Sequence, residues 1–305
     1  MPSTSEPSSP ETLAGLAPAK TLPPPLQKAM ARVTEIASLP EITTKIVQAV
    51  EDPRATAQHM HEIVKNDPAL ATKILKVVNS AFYGLPSQIA SLDRAIIMLG
   101  LSAVKNIALA ASLAKMFRGD PISDQFSPRD LWRHSISVGV FARLLAQRLH
   151  MALADEYFVA GLVHDMGLLV IGQVFPSKLR ELAERCYAQP QDYCAAEQSI
   201  VGADHQTFGA ALAGKWKFPP ALRYAVAYHH EPHLLQPEFR KIVSLIYIAD
   251  TVCGQLKHGY FLTTQGQEIR EEMLQFLGAE RTALDEICAA LPEKLAEAEQ
   301  ILSPE

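Results

Sequence analysis

The sequence predicts an all-α protein. From about residue 26 onward its apolar residues recur at helical spacing, and no segment alternates apolar and polar residues as a half-buried strand would. Proline, glycine and capping residues divide this pattern into pieces of helical length. With 305 residues, 48% of them hydrophobic, the chain can bury a sizeable core.

The N-terminal segment, residues 1–26, is predicted to be a disordered tail. It is rich in proline, serine, threonine and alanine, and ends in a run of three prolines at residues 23–25. A segment of this composition has too few apolar side chains to offset the conformational entropy that it would lose on folding. Helical periodicity is expected to begin directly after it.

Capping residues predict where the helices of the first third begin. Thr56 has the position of an N-cap, and Asp67 precedes Pro68, which at the first helical position has no N–H to satisfy. Ser91 is predicted to cap a helix that ends at Gly100, and Ser102 to cap the next helix.

A second region opens after residue 121. Ser127 is placed as an N-cap with Asp130 at the third helical position, which predicts a helix from Pro128 to about His150. Further helices are predicted over 155–165, 177–188, 205–216, 220–229 and 239–256, and one or two amphipathic helices over 268–302.

The apolar segment from Ala95 to Met116 raises the question of a transmembrane helix. Lys105 and Lys115 carry charge within it, and Gly100 divides it, so two core helices joined by a tight turn are predicted. We expect no signal peptide, because no basic segment followed by an apolar core stands at the N-terminus. The four cysteines lack a framework spacing and favour reduced thiols, so a cytoplasmic location is predicted.

The charge balance bears on the class of partner. The formal net charge is −5, and no run of five or more basic residues occurs. Such a chain has no electrostatic basis for binding nucleic acid. Neither nucleic acid nor a membrane is therefore expected as a partner.

The motif with the clearest chemistry is the adjacent pair His164-Asp165, at the end of an apolar helical run. Imidazole and carboxylate together suit a divalent transition metal, and two adjacent ligands need partners from elsewhere in the chain. Candidate partners sit in or beside apolar helical patterns, where an unpartnered polar group would be costly. They are His134, His205, His229, His230 and Asp250.

The order of several longer motifs resembles that of the HDOD family. These are Leu39-Pro40, Asn66-Asp67-Pro68-Ala69-Leu70, Asn79-Ser80-Ala81-Phe82-Tyr83-Gly84, Ala95-Ile96 with Leu99-Gly100, Leu131-Trp132-Arg133-His134-Ser135, Gly161-Leu162-Val163-His164-Asp165-Met166-Gly167, Gly202-Ala203-Asp204-His205 and His229-His230-Glu231-Pro232. The match covers roughly residues 30–255. It implies a helical bundle specific to the family over 27–120, packed on an HD-like helical region over 121–260, with further helices over 261–305.

HDOD proteins are similar to the HD phosphohydrolases, including the HD-GYP cyclic-di-GMP phosphodiesterases, but are regarded as bacterial signalling modules without demonstrated hydrolysis. By this resemblance His134 matches the first metal histidine, His164-Asp165 the signature pair and Asp250 the closing aspartate. His205, His229 and His230 match the additional histidines that let HD-GYP enzymes hold a second metal. The implied cofactor is a divalent metal, with Fe, Mn, Mg and Zn all open.

Two departures from the HD-GYP pattern bear on catalysis. HD-GYP enzymes follow the His-Asp pair with a glycine and a lysine, whereas Leu168 follows Gly167 here, and the Gly-Tyr-Pro loop is missing. The lost lysine removes a positive charge that could hold a phosphate. We therefore expect a non-catalytic regulatory protein that acts through signalling partner proteins and retains a residual metal site. The alternative is a metal-dependent phosphohydrolase acting on a nucleotide or cyclic dinucleotide.

Interpretations without a metal also remain open for the inner candidates. His164 and Asp165 could bond each other at a helix end. Asp250 could form a buried pair with His134 or His164 that holds the bundle together without metal. Asp130 lies one helical turn before His134, but its capping role is better supported and we do not count it among the ligands.

The outer histidines have simpler explanations too. His205 could serve near a helix start, and His229-His230 could cap a helix C-terminus, where an imidazolium interacts well with the helix dipole. Outside the cluster, the loop around Phe82 could be a partner surface, since aromatic residues are enriched at interface cores, or it could fill its own core.

Overall fold

The computed structural model describes residues 20–32, 40–80 and 83–302. Within these ranges every regular element is a helix, and the sole extended pairing is an isolated bridge between Ser123 and Phe126. The predicted all-α class is confirmed. Tail residues 1–19, together with Leu39 and the Phe82 loop tip, lie outside the described residues.

The helices follow one another with short connections, and we number them in chain order. They are α1 (Pro24–Ala31), α2 (Glu41–Glu51), α3 (Ala57–Val64), α4 (Pro68–Val78), α5 (Leu92–Leu99), α6 (Leu101–Leu113), α7 (Pro128–Arg148), α8 (Ala154–Val163), α9 (Met166–Val174), α10 (Pro176–Ala188), α11 (Tyr193–Ile200), α12 (His205–Lys215), α13 (Pro220–Tyr228), α14 (Pro237–Gln255), α15 (Glu271–Leu277) and α16 (Arg281–Leu302). Single 3₁₀ turns occupy Ala114–Phe117, Pro232–Leu234 and Leu262–Thr264.

Most of the predicted caps are present. The side chains of Thr56, Asp67 and Ser91 each accept a hydrogen bond from the backbone N–H three residues on. The prediction for Ser102 is wrong, because it lies inside α6. Gly100 takes the cap position instead, with φ of 87°, a conformation that only glycine adopts without strain and that lets α6 start one residue after α5 ends.

Residues 20–26, predicted from their composition to belong to the tail, pack against the second region. Leu22 is buried, with 3% of its surface exposed, and Lys20 forms ion pairs with Asp204 and Glu231. Pro24 starts α1, because a first helical turn needs no N–H from its leading residue. The prolines at residues 23–25 therefore mark the start of α1 and not the end of a disordered tail.

The second region is built around α7, which packs against α8, α14 and α16. Ser127 caps α7, accepting from the Asp130 N–H, as predicted. α16 closes this side of the molecule, where the Trp132 indole N–H donates to the carbonyl of Leu302 at 2.8 Å. The centre of α7 is consequently buried on all sides, and it carries His134.

Two apolar segments form core rather than membrane spans. The segment from Ala95 to Met116 folds as the end of α5, α6 and a 3₁₀ turn, as predicted, and residues 103–113 of α6 are all buried. In the described part of the chain, the segment with the length and hydropathy of a membrane span is Ala154–Val174. It comprises α8 and α9, is 83% buried within the fold, and is divided by His164-Asp165.

Candidate metal centre

The seven residues predicted as metal ligands lie together at the buried centre of the second region. They are His134 in α7, His164 and Asp165 between α8 and α9, His205 at the start of α12, His229 and His230 after α13, and Asp250 in α14. All have fully buried side chains except His230, whose side chain is 8% exposed. The fold thus unites groups as much as 116 residues apart, as for His134 and Asp250.

The inner part of the cluster joins α7, α14 and the His-Asp pair. His134 Nε2 lies 2.9 Å from Asp250 Oδ1. His164 Nε2 lies 3.5 Å from the same Asp250 oxygen and 3.4 Å from Asp165 Oδ2. The predicted pairing of Asp250 with a histidine is therefore present, and it involves both His134 and His164.

The outer part of the cluster gathers three imidazoles around the other oxygen of Asp165. Asp165 Oδ1 is 3.2 Å from His205 Nε2 and 3.3 Å from His229 Nε2. His205 Nε2 also lies 3.1 Å from His229 Nε2 and 3.0 Å from His230 Nε2. Asp165 consequently stands between the two parts, with one oxygen directed to each.

Hydrogen bonds to backbone carbonyls orient three of the imidazole rings. In each ring Nδ1 faces away from the cluster and Nε2 faces into it. Nδ1 of His134, His164 and His229 lies 3.2, 2.7 and 3.1 Å from backbone carbonyl oxygens, to which it donates. A neutral imidazole with its hydrogen on Nδ1 has a lone pair on Nε2. In their neutral form these three rings therefore direct lone pairs, rather than N–H groups, into the cluster.

Glu197, in α11, orients His205 in the same way. Its Oε2 accepts from the ring Nδ1 of His205 at 2.7 Å and from the His205 backbone N–H at 2.9 Å. The carboxylate is fully buried, and burial raises its pKa against the opposing influence of His205. A carboxylate behind a metal-binding histidine is a common supporting contact. Glu197 was not among the predicted residues, and only its position eight residues before His205 could have drawn attention to it.

The contacts inside the cluster need a cation. The Nε2 lone pairs face one another and the carboxylate oxygens at 3.0–3.5 Å, where only a proton or a metal ion makes the contact attractive. His164 Nε2, Asp165 Oδ1 and Asp250 Oδ2 are buried with no hydrogen-bond partner among the described residues. Although burial opposes it, the two adjacent carboxylates raise the pKa of His164 to about 10. The donor set thus fits a divalent metal.

Two subsets of the cluster have the compactness of single metal sites. The inner subset is His134, His164 and Asp165, and the outer subset is Asp165, His205, His229 and His230, each with ligand atoms within 4.8 Å of one another. Because Asp165 belongs to both, the arrangement could hold two ions bridged by one carboxylate.

The simpler interpretations of the outer histidines are only partly met. His205 is the first residue of α12, but the cap is the neighbouring Asp204, which accepts from the Thr207 N–H. His229 does bond carbonyls at the end of α13, and this contact leaves its Nε2 free for the cluster. Asp130 stays outside, since its carboxylate accepts from the Ser127 hydroxyl at 2.6 Å.

A cavity of about 430 Å³ lies beside the cluster, and of the seven residues only His230 lines it. Among the described residues, the charged ones in its wall are Asp192, Asp204 and Glu231, with no lysine or arginine. Leu168, at the position where a lysine would be expected in HD-GYP enzymes, is fully buried and is not part of the wall. The charged side chains of the described wall are therefore all acidic.

A lysine does come close to this cavity, although the sequence had not indicated it. Lys20 Nζ lies 3.1 Å from Asp204 Oδ2 and also contacts Glu231 Oε2. Burial opposes its charged form, but the two carboxylates raise the pKa of its ammonium group. Its charge is thus balanced by the wall of the cavity.

With this geometry established, the comparison with known families is informative. The HDOD domain model matches residues 36–232. The chain belongs to the HDOD family. A second comparison finds 27% identity over 223 residues with an uncharacterized protein of Treponema pallidum (strain Nichols), covering 72% of this chain and 42% of that protein. The chain therefore spans less than half the length of this relative.

Solved structures support the same fold. An HDOD domain protein of unknown function from Geobacter sulfurreducens superposes with a TM-score of 0.78 at 21% identity, over 90% of this chain and 96% of that one. A candidate phosphohydrolase from Shewanella amazonensis SB2B gives 0.70 at 22% identity, over 91% and 97%. A candidate signal transduction protein from Marinobacter aquaeolei VT8 gives 0.72 at 21% identity, over 92% and 64%. At these identities the similarity concerns the HDOD fold alone.

Proposed function

We propose that this HDOD protein is a non-catalytic regulatory module of signal transduction that holds divalent metal in its His-Asp cluster and acts through protein partners. The observation that carries the proposal is the charge of the cavity. In the part of the chain that the structure describes, its wall contains three carboxylates and no lysine or arginine, and the nearby Lys20 pairs with two of those carboxylates.

Hydrolysis of a phosphodiester makes demands that this cavity does not meet. A two-metal centre activates water and polarises the phosphate, and cationic or N–H donor groups around it hold the remaining phosphate oxygens. Here an approaching phosphate would meet Asp192, together with Asp204 and Glu231, whose charges Lys20 offsets in part. Like charges at short range disfavour binding, and the favourable charge-assisted contacts are missing from the wall.

A metal in this position would serve the architecture. The candidate ligands come from α7, the α8–α9 junction, α12 and the end of α13, with Asp250 of α14 beside His134, so bound metal would connect several parts of the second region. Five imidazoles favour Fe or Zn over Mg, which prefers oxygen ligands. A ligand that binds only the folded state stabilises it, so metal content would set how rigid this region is when partners bind.

Metal analysis combined with activity assays tests the proposal. Two preparations are compared: protein purified without chelator, and protein reloaded with Fe, Mn, Mg or Zn. Elemental analysis gives the metal content of each. Hydrolysis is then assayed with nucleotides, cyclic dinucleotides and an aryl phosphodiester as substrates. We expect up to two metal ions per chain, and hydrolysis no faster than that of the Asp165→Ala variant. H164A should lower metal content while the protein stays folded by circular dichroism.

The phosphohydrolase remains the second candidate, because the cluster is complete and a candidate phosphohydrolase shares the fold. Turnover that depends on metal and disappears in folded H164A and D165A variants would establish the enzyme and overturn the regulatory proposal.

A further inference from the structure

One ammonium group connects the two chain segments that carry the outer histidines. Lys20 Nζ bonds Asp204, which directly precedes His205, and Glu231, which directly follows His230. The side chains of Lys20 and Asp204 are 13% and 16% exposed, so this contact is largely removed from solvent. Lys20 therefore links α12 to the loop after α13 beside the cluster.

Gln206 strengthens the same connection. Its side-chain oxygen accepts from the backbone N–H of His230 at 3.1 Å, and its Nε2 lies 3.3 Å from Asp204 Oδ2 and 3.5 Å from Glu231 Oε2. The Lys20 ammonium also lies 5.8 Å from the centre of the Tyr228 ring. The carboxylates, the amide and the aromatic ring together form a receptor for a lysine side chain.

Apart from Lys20, the segment that supplies this lysine is held by one buried side chain and by Leu26 and Met30, which pack against the core while partly exposed. Among residues 20–32 only Leu22 is buried, and α1 has no buried residue. Leu26 lies near Gly202, because a Cβ added to Gly202 would be 3.7 Å from Leu26 Cδ1. Segments with few buried apolar contacts open at low free energy without global unfolding. Docking of this segment consequently depends to a large extent on Lys20.

We propose that residues 20–26 are a detachable strap, that Asp204 and Glu231 are its receptor, and that docking of the strap and metal binding at His205 and His230 favour each other. The strap holds together the segments that carry these two histidines, so its release loosens the outer part of the cluster. Reciprocally, a metal that draws the segments together tightens docking, since a coupling free energy acts in both directions. The coupling rests on the proposed metal site, whereas docking itself does not.

Trypsin reports docking directly on the full-length, chelator-treated protein. Its specificity pocket must take in the lysine side chain, so a docked Lys20 protects the bond to Thr21. When opening is fast, cleavage follows the population of the open form. Glu231→Gln removes one of two charged partners and should speed cleavage after Lys20 roughly fivefold or more, because charge-assisted hydrogen bonds are the strong ones.

The matched control is E238Q, at an exposed position in the first turn of α14, and cleavage after Lys65 serves as an internal reference. The rate of cleavage after Lys20 in E238Q should equal that in the wild type. The rate of cleavage after Lys65 should be the same in all variants. High salt should also accelerate cleavage after Lys20, because it screens the ion pairs. Equal cleavage after Lys20 in the wild type and E231Q would overturn the strap.

Coupling is tested by adding Mn²⁺ or Zn²⁺ and by removing the metal with a chelator. Metal should slow cleavage after Lys20 in the wild type, and K20Q should lose metal to the chelator several-fold faster than the wild type or K20R, which keeps the charge. Metal that binds without changing either rate would overturn the coupling and leave metal binding intact. If no metal binds, the proposed function fails and the coupling with it, while the trypsin result on metal-free protein still decides docking.

Discussion

Gly139 in α7 and Gly161 in α8 bring their backbones into direct contact. A Cβ added to Gly161 would lie 2.6 Å from the Cα of Gly139, and one added to Gly139 would lie 2.8 Å from the Phe158 carbonyl oxygen. His134 lies five residues before one glycine, and His164 three residues after the other. The glycine contact therefore determines how closely these two histidines approach.

The first prediction concerns this contact. Gly161→Ala should lower the free energy of unfolding by roughly 1–3 kcal/mol or more, because backbone atoms cannot move aside as a flexible side chain can. Urea denaturation measures it. Gly214→Ala in α12, where an added Cβ meets nothing within 4 Å, is the control and should be neutral or stabilising. Similar losses in the two variants would contradict the importance of the contact.

The second prediction separates the two parts of the cluster. A Cβ on Gly167 would lie 1.8 Å from the His205 carbonyl oxygen, so Gly167→Ala must move α9 away from α12. Asp165 and His205 would separate, while His134 and Asp250 are not involved. We expect the outer metal to be lost first, leaving about one ion per chain by elemental analysis where the wild type holds two. Full metal content in a folded variant would show that the spacing of α9 and α12 does not control the site.

The third prediction concerns stability without metal. Asp250→Ala leaves His134 Nε2 without its buried partner and removes one of the two carboxylates beside His164, so it should destabilise the chelator-treated protein by roughly 1–3 kcal/mol. The exposed Asp120→Ala serves as the control. Thermal and denaturant unfolding give the result. An unchanged melting temperature for D250A would count against a buried network.

The fourth prediction concerns Glu197. Replacement by Gln keeps the size of the side chain but removes the charge behind His205, so metal affinity of the outer subset should fall roughly 10- to 100-fold. Competition with a chromophoric chelator measures the affinity. Glu184→Gln, at an exposed position in α10, should have no effect. If E197Q binds metal like the wild type, then Glu197 only fills a buried position.

Local signals in the sequence were sufficient for most helices and caps. Caps such as Thr56 and Asp67 act on N–H groups three residues away, so the information lies within one turn. Predictions were wrong where contacts between residues far apart in the chain determine the structure. Lys20 is held by partners 184 and 211 residues away, and no composition rule for residues 1–26 could include them.

The candidate site was predicted by residue type and order, but its charge environment was not. Leu168 was taken as a missing phosphate-binding position, yet its side chain is buried in the core and does not line the cavity beside the cluster. The proposal that this cavity disfavours phosphate rests instead on the carboxylates that Asp204 and the loop after His230 place in its wall.

The sequence by itself determined the helical class, the likeness to the HDOD family and the seven histidines and aspartates, because periodicity, capping and motif order are properties of neighbouring residues. Only the tertiary structure decided that Asp165 stands between two groups of imidazoles, that Glu197 supports His205 and that Lys20 reaches Asp204 and Glu231. These relations depend on distances of a few ångströms between segments far apart in the chain, and packing of whole helices sets them.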